Sequence, residues 1–441
     1  MRRGFVRRSG LFAVAFWMLA VSCGGQARPN VLLVVIDALR SDHLGCYGYH
    51  RDTSPVIDSL ASSGTLWLRA QAQAPWTLPS MASIMTGQTV KSHGTRKTVG
   101  ALTALSPELP TLSTLLSQHG YRTAAFMNCH WCSQLYGFHR GFGMFDCVDA
   151  GHGRAETTVD MVLDWLSGLE QGERFAVVVH LFDVHAPYRP PGEYRSLFLR
   201  ADSVARFFWD VDKEAHELYD PQNVDTYIDL YDGEIAWVDR NLHRLLQGLG
   251  EMGRADSTII VITADHGEEF LEHGWIEHGV TLYQEVLHVP LIISGPGVPR
   301  GVVDSAVVGS IDVMPTVLSL LDVEIPSNLD GVALRPGRSP RGRTIPSGGA
   351  TPDCWCEEGL VNRKTVSVLR GDSKLIYDGR TDSSVTYDLS EDPLEQSELP
   401  PDSSLLEAAL YYYSSPPKVL PPILEGLGEE HERIIRSLGY F

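Results

Sequence analysis

Basic side chains are scarce: 36 Lys and Arg stand against 55 Asp and Glu, for a formal charge of -19. A broadly basic nucleic-acid-binding face is thereby excluded, and strong attraction to an anionic membrane surface with it. An anionic substrate is not excluded, because a metal ion or a few His and Arg residues reverse the field locally. There is no internal repeat. Cys129-x-x-Cys132 lacks the second CxxC that a common zinc site requires, and Cys354-x-Cys356 is spaced too tightly for a zinc knuckle. With 441 residues and 43% hydrophobic content, the chain is long enough for one large domain and a smaller one.

The first residues read as a targeting segment. Arg2, Arg3, Arg7 and Arg8 precede an apolar run, Leu11–Val21, that is too short to span a bilayer comfortably and has signal-peptide length. The run ends Ala20-Val21-Ser22-Cys23, which resembles a bacterial lipobox. The expectation is a signal peptide over residues 1–22, lipidation of Cys23, and an exported, membrane-anchored protein in the periplasm or at the cell surface. Plain secretion with cleavage nearby is the alternative. In an exported protein, Cys46, Cys129, Cys132, Cys147, Cys354 and Cys356 are structural disulfides or free buried thiols.

Three apolar, β-branched runs follow: Val31–Ile36, Ala176–Leu181 and Thr258–Thr263. Such runs suit strands buried on both faces. Each leads into reactive residues: Asp37; Asp183 and His185; Asp265 and His266. Open α/β sheets bind ligands at the carboxyl ends of their strands. Helical spacing marks residues 54–63, 109–119, 157–169, 224–249 and 311–321. Alternation of the two patterns predicts an α/β sandwich. The Pro-, Gly- and Arg-rich stretch Pro336–Pro346 reads as a boundary, which divides a catalytic domain at 28–340 from a C-terminal subdomain at 341–441. Short alternating segments at 366–369 and 374–377 predict a small antiparallel sheet there, with a final helix at Glu429–Leu438.

The most specific element is Pro75-Trp-Thr77-Leu78-Pro79-Ser80-Met81, continuing to Thr86-Gly87. It resembles the Cys/Ser-x-Pro-Ser-Arg signature of sulfatases. The resemblance runs across nearly the whole chain: Pro29-Asn30 before the first strand, Gly120-Tyr121-x-Thr123, Ala264-Asp265-His266-Gly267-Glu268, Val289-Pro290, Ile311-Asp312-x-x-Pro315-Thr316, and Tyr387-Asp388-Leu-x-x-Asp392-Pro393. It implies an alkaline-phosphatase-like α/β/α sandwich with a small C-terminal antiparallel-sheet subdomain. It also implies a metal-dependent hydrolase of sulfate or phosphate esters, with Thr77 in the nucleophile position.

The residues support that chemistry on their own terms. Asp37, Asp265 and His266 bring two carboxylates and an imidazole to strand ends, a donor set for a divalent cation such as Ca, Mn or Zn. Thr77 opens a helix whose positive end lies behind it. Metal coordination would activate its hydroxyl for attack on sulfur or phosphorus. Threonine is also a common helix cap, and the two roles are compatible.

Departures from the sulfatase pattern shape the expectation. Thr77 cannot be oxidised to the formylglycine that sulfatases make from Cys or Ser. Met81 replaces an Arg, Ala38 an Asp and His266 an Asn; Asn128 and Gly279 fall at lysine positions. Thr with Asp-His ligands resembles the phosphodiesterase and the phosphoglycerol- and phosphoethanolamine-transferase branches of the superfamily. A transferase, or a non-catalytic binding protein on the same fold, is therefore kept beside the hydrolase. His185 and His278 are candidate proton donors. Asn128, His130, Asp183 and His273 fall where substrate contacts belong, and His273, His278 and Asp183 are candidates for a second metal. Arg40 is expected near Asp37 as an ion-pair partner. The expected substrate is a small anionic ester on a sugar, lipid or aryl group.

Overall fold

The computed structural model describes residues 28–98, 101–147, 154–199, 223–349 and 365–424. The expected signal peptide, Cys23, Cys354, Cys356 and the helix at Glu429–Leu438 lie outside them. Among the described residues, no helix is long and apolar enough to cross a membrane.

Eight strands form the central sheet: β1 (Asn30–Ile36), β2 (Thr65–Gln71), β3 (Arg122–Met127), β4 (Met144–Cys147), β5 (Phe175–Leu181), β6 (Thr258–Ala264), β7 (His288–Ser294) and β8 (Val302–Gly309). Their order is β8-β2-β7-β6-β1-β5-β3-β4. Only β7 runs antiparallel to its neighbours. Every residue of β1, β5 and β6 is buried, as the unbroken apolar runs require of strands covered on both faces. Ile36 pairs with Leu181 on one side and Ala264 on the other. The three strands therefore end together, and the residues just beyond them share one rim.

The helices are α1 (Pro55–Ser63), α2 (Thr77–Thr86), α3 (Leu112–Gln118), α4 (Ala155–Ser167), α5 (Val224–Glu251), α6 (Val313–Leu320) and α7 (Ser403–Ser414). The segment expected from residue 109 starts only at Leu112. Thr111 caps it: its hydroxyl accepts the Thr114 N–H at 3.2 Å, while the Thr114 hydroxyl accepts the Thr111 N–H at 2.8 Å and donates to Thr111 O at 2.8 Å.

The C-terminal part forms a four-stranded antiparallel sheet, β9 (Thr344–Gly348), β10 (Thr365–Arg370), β11 (Ser373–Asp378) and β12 (Ser383–Asp388). Val366, Val368, Leu375 and Tyr377 pack there against Leu405 and Ala409 of α7. The helical spacing of α7 was not among the expected segments. Residues 423–424 then return to pair with 102–103 of the main body. Cys46, Cys129 and Cys132 are free thiols, which resolves the disulfide-or-thiol alternative for these three.

Candidate active site

β1 delivers Asp37 to the rim, and the chain then turns at Ala38, whose φ of 54° is left-handed. Tyr231 from α5 holds the turn: its hydroxyl donates to Ala38 O at 2.7 Å and accepts from Arg40 N–H at 2.8 Å. Backbone strain at such a site persists only when its surroundings enforce it. Arg40 points away from Asp37. It pairs with Asp42 at 2.8 Å and Glu272 at 2.5 Å and donates to Glu268 O.

β6 delivers Asp265 and His266. Asp265 Oδ1 accepts the N–H groups of Ala38 at 3.3 Å and His266 at 3.0 Å. His266 Nδ1 lies 2.9 Å from Gly267 O. A carbonyl only accepts, so Nδ1 carries the proton and Nε2 keeps its lone pair. Burial also lowers the His266 pKa to about 4, which keeps the ring neutral. Gly267 is required by close approach: a Cβ there would meet Glu285 O at 2.1 Å.

All ten residues of α2 are buried. Trp76 occupies the cap position and Thr77 is the first helical residue, with no side-chain capping bond. The Thr77 hydroxyl is thus not spent on capping. Its Oγ1 lies 3.4 Å from His266 Nε2. The helix is fastened to the same loop by Ser80, whose hydroxyl donates to Asp265 O, and it ends at Gly87 with φ 63°.

Asp37, Asp265 and His266 present donor atoms within 4.8 Å of one another, all fully buried. Both oxygens of Asp37 and Oδ2 of Asp265 have no hydrogen-bond partner. Two carboxylates buried this closely are costly unless a cation compensates them. Burial and the neighbouring Asp265 push the Asp37 carboxyl up. Asp265 is held low, against burial, by His266 and His180. The residues present therefore fit a divalent cation, with Thr77 beside it.

His278 joins this group. Its ring centroid lies 4.2 Å from that of His266 and 4.7 Å from that of His185. Glu268 Oε1 accepts from His278 Nδ1 at 2.9 Å, and Glu268 Oε2 accepts from the Tyr188 hydroxyl at 2.9 Å. His185 donates from Nδ1 to Ala186 O at 2.6 Å and stacks on Phe182 at 4.2 Å. The expected proton donors thus sit side by side, one of them oriented by a carboxylate.

The other expected residues are distributed differently. Asn128 is buried just past β3 and donates to Thr158 of α4 at 3.4 Å. His130 stands edge-on to Tyr136, in an aromatic group that includes Trp131, which meets Trp76 edge-to-face at 5.5 Å. Asp183 and His273 are not brought together as ligands of a second metal. Asp183 accepts from Ala155 N–H at 2.7 Å, opening α4, and from Trp237 Nε1 at 3.1 Å. Its carboxyl is raised to about 6 by burial. His273 sits with Glu269 and Glu285, 2.6 Å from Glu285 Oε1 through Nδ1 and 3.1 Å from Glu395 O through Nε2. Its donor atoms and those of Glu269 and Glu285 lie within 4.8 Å of one another, a group that could hold a cation apart from the Asp37 cluster, and the bond with Glu285 raises the His273 pKa against burial.

Two residues of the cluster received no role from sequence. Glu268 lies inside the Asp265–Glu268 motif. His180 is a lone imidazole within an otherwise apolar buried strand, and that mismatch was its signal. It is fully buried, with Nε2 3.5 Å from Asp37 Oδ2.

Comparison with known proteins gives the family and the fold. A family model described as Sulfatase matches residues 29–323. An arylsulfatase of Clostridium perfringens is 24% identical over 378 residues, covering 70% of this chain and 78% of its own. An N-acetylglucosamine-6-O-sulfatase of Bacteroides thetaiotaomicron is 23% identical, covering 84% of this chain and 82% of its own. The fold is shared with the solved phosphonate monoester hydrolase from Silicibacter pomeroyi, at a TM-score of 0.69 and 21% identity over 87% of this chain and 93% of that one. The central sheet, the rim of acidic and imidazole side chains and the match over residues 29–323 lead to one conclusion: the chain belongs to the sulfatase family of hydrolases.

Proposed function

We propose that this chain is a metal-dependent hydrolase of sulfate or phosphate esters that works through a covalent intermediate on Thr77. The observation that carries the reading is the Thr77 hydroxyl, uncommitted to capping and 3.4 Å from His266 Nε2, beside carboxylate oxygens that lack partners. Asp37, Asp265 and His266 would hold a divalent cation, which supplies charge to lower the pKa of a hydroxyl and to polarise the ester oxygens.

Thr77 Oγ1 gives up its proton and bonds to the sulfur or phosphorus. The bond from that centre to the alcohol oxygen breaks, and the alcohol leaves with a proton. Water then bonds to the same centre, Thr77 Oγ1 departs, and its hydroxyl is restored. His278, oriented by Glu268, and His185 are placed to move these protons. The N-terminus of α2 favours the negative charge that gathers at Thr77.

Threonine cannot supply the aldehyde route by which sulfatases discharge their enzyme ester, so the reading favours phosphate and phosphonate esters over sulfate. A relative named for a sulfated sugar and a neighbour named for phosphonate monoesters bracket that choice. The same reading places the chain outside the cytoplasm, tethered through Cys23. The test is turnover of aryl sulfate, aryl phosphate and aryl phosphodiester by the purified protein under several divalent metals, beside Thr77→Ala. Turnover that persists unchanged in Thr77→Ala sinks the mechanism. Intact mass of a quenched reaction identifies the group carried on Thr77.

A further inference from the structure

His180 stands on β5 opposite Val35 of β1, one pleat below Asp37. It is fully buried, and neither of its ring nitrogens has a hydrogen-bond partner. Its Nε2 lies 3.5 Å from Asp37 Oδ2 and 3.9 Å from Asp265 Oδ2. Those separations are too long for good hydrogen bonds. A buried imidazole without partners is costly, and here both nearby acceptors are themselves unsatisfied.

The same two carboxylates also meet His266, with Nε2 3.4 Å from Asp37 Oδ1 and 3.5 Å from Asp265 Oδ2. Contacts of 3.4 to 3.9 Å thus link His266, Asp37, His180 and Asp265, with Asp37 turning Oδ1 toward His266 and Oδ2 toward His180. A transition-metal ion bonds such oxygen and nitrogen donors at about 2.0–2.2 Å, and a catalytic centre keeps a further position open, here on the side of Thr77.

Resting on the metal-dependent reading above, we infer that His180 is a fourth protein ligand. The centre then has two carboxylates and two imidazoles, and it selects Zn or a similar transition metal over Ca. Two carboxylates balance a divalent charge, and two neutral imidazoles suit a borderline cation better than a hard one that prefers oxygen.

The test uses the full purified chain loaded with Co or Zn. X-ray absorption should count two imidazoles at the ion in the unaltered protein. Competition titrations should show His180→Gln weakening Zn at least tenfold while leaving Ca within threefold, and the Co visible spectrum should shift. One imidazole in the unaltered protein, or an unchanged affinity and spectrum in His180→Gln, overturns the inference and leaves the metal centre standing. The count on the unaltered protein decides the matter even if His180→Gln fails to fold. Failure of the unaltered protein to take up any divalent ion overturns the metal-dependent reading itself.

Discussion

Thr77 Oγ1 and His266 Nε2 lie 3.4 Å apart although 189 residues separate them in the chain. One opens α2 and the other follows β6. Their meeting turns two ordinary residues into a candidate nucleophile and its neighbour. Thr77→Ala should reduce kcat at least about a thousandfold, while Thr77→Ser should keep measurable turnover. Steady-state kinetics on the best aryl ester checks both. Equal loss in the two variants would point to packing of α2 and not to the hydroxyl.

The unpartnered oxygens of Asp37 and Asp265 make stability depend on a cation. Chelator treatment should lower Tm, and added Zn or Mn should restore it. A ligand at a hundredfold its Kd contributes about 2.7 kcal/mol. Asp37→Asn should behave the opposite way: its chelated form should melt above the chelated wild type, because one of two facing charges is gone, and metal should no longer raise Tm. Thermal melts with and without chelator read both effects.

Glu268 orients His278 at 2.9 Å. Glu268→Gln keeps the shape but can set an amide N–H₂ in place of an acceptor oxygen against His278 Nδ1. A fall in kcat of about 10²–10⁴ is expected, with KM changed much less. A rise in KM alone would assign the pair to substrate binding.

Asp239 gives a pH signature away from the site. Its carboxylate accepts Val56 N–H at 3.0 Å and Ile57 N–H at 2.9 Å at the start of α1, yet burial raises its pKa to about 7. The folded state therefore holds this proton more tightly than the unfolded chain, whose aspartates titrate near 3.9. Stability from this group is full below about pH 4 and is lost as pH rises through about 7, by up to roughly 2–4 kcal/mol. Denaturant midpoints at pH 5 and pH 8 should differ more in the wild type than in Asp239→Asn.

Lys374 and Glu395 form a buried pair at 2.7 Å, and Glu395 O meets His273. Lys374→Met leaves Glu395 buried and unpaired, which costs about 3–5 kcal/mol. Replacing both, as Lys374→Met with Glu395→Gln, should recover most of that loss. Chemical denaturation of the single and double variants measures the coupling.

The amino-acid order determined the strands and much of the rim. Val31–Ile36, Ala176–Leu181 and Thr258–Thr263 announce buried strands because apolar, β-branched side chains dominate them, and Asp37, Asp265 and His266 follow by position. The signature around Thr77 placed the chain in its family. Tertiary structure alone decided which polar residues share the centre. His180 is one letter in an apolar run until β5 registers beside β1. Asp183 meets the start of α4, and His273 meets Glu285, only once the chain has folded. The reason is physical: spacing along the chain sets which face of an element a side chain occupies, while contacts between elements set which charges and lone pairs remain without partners.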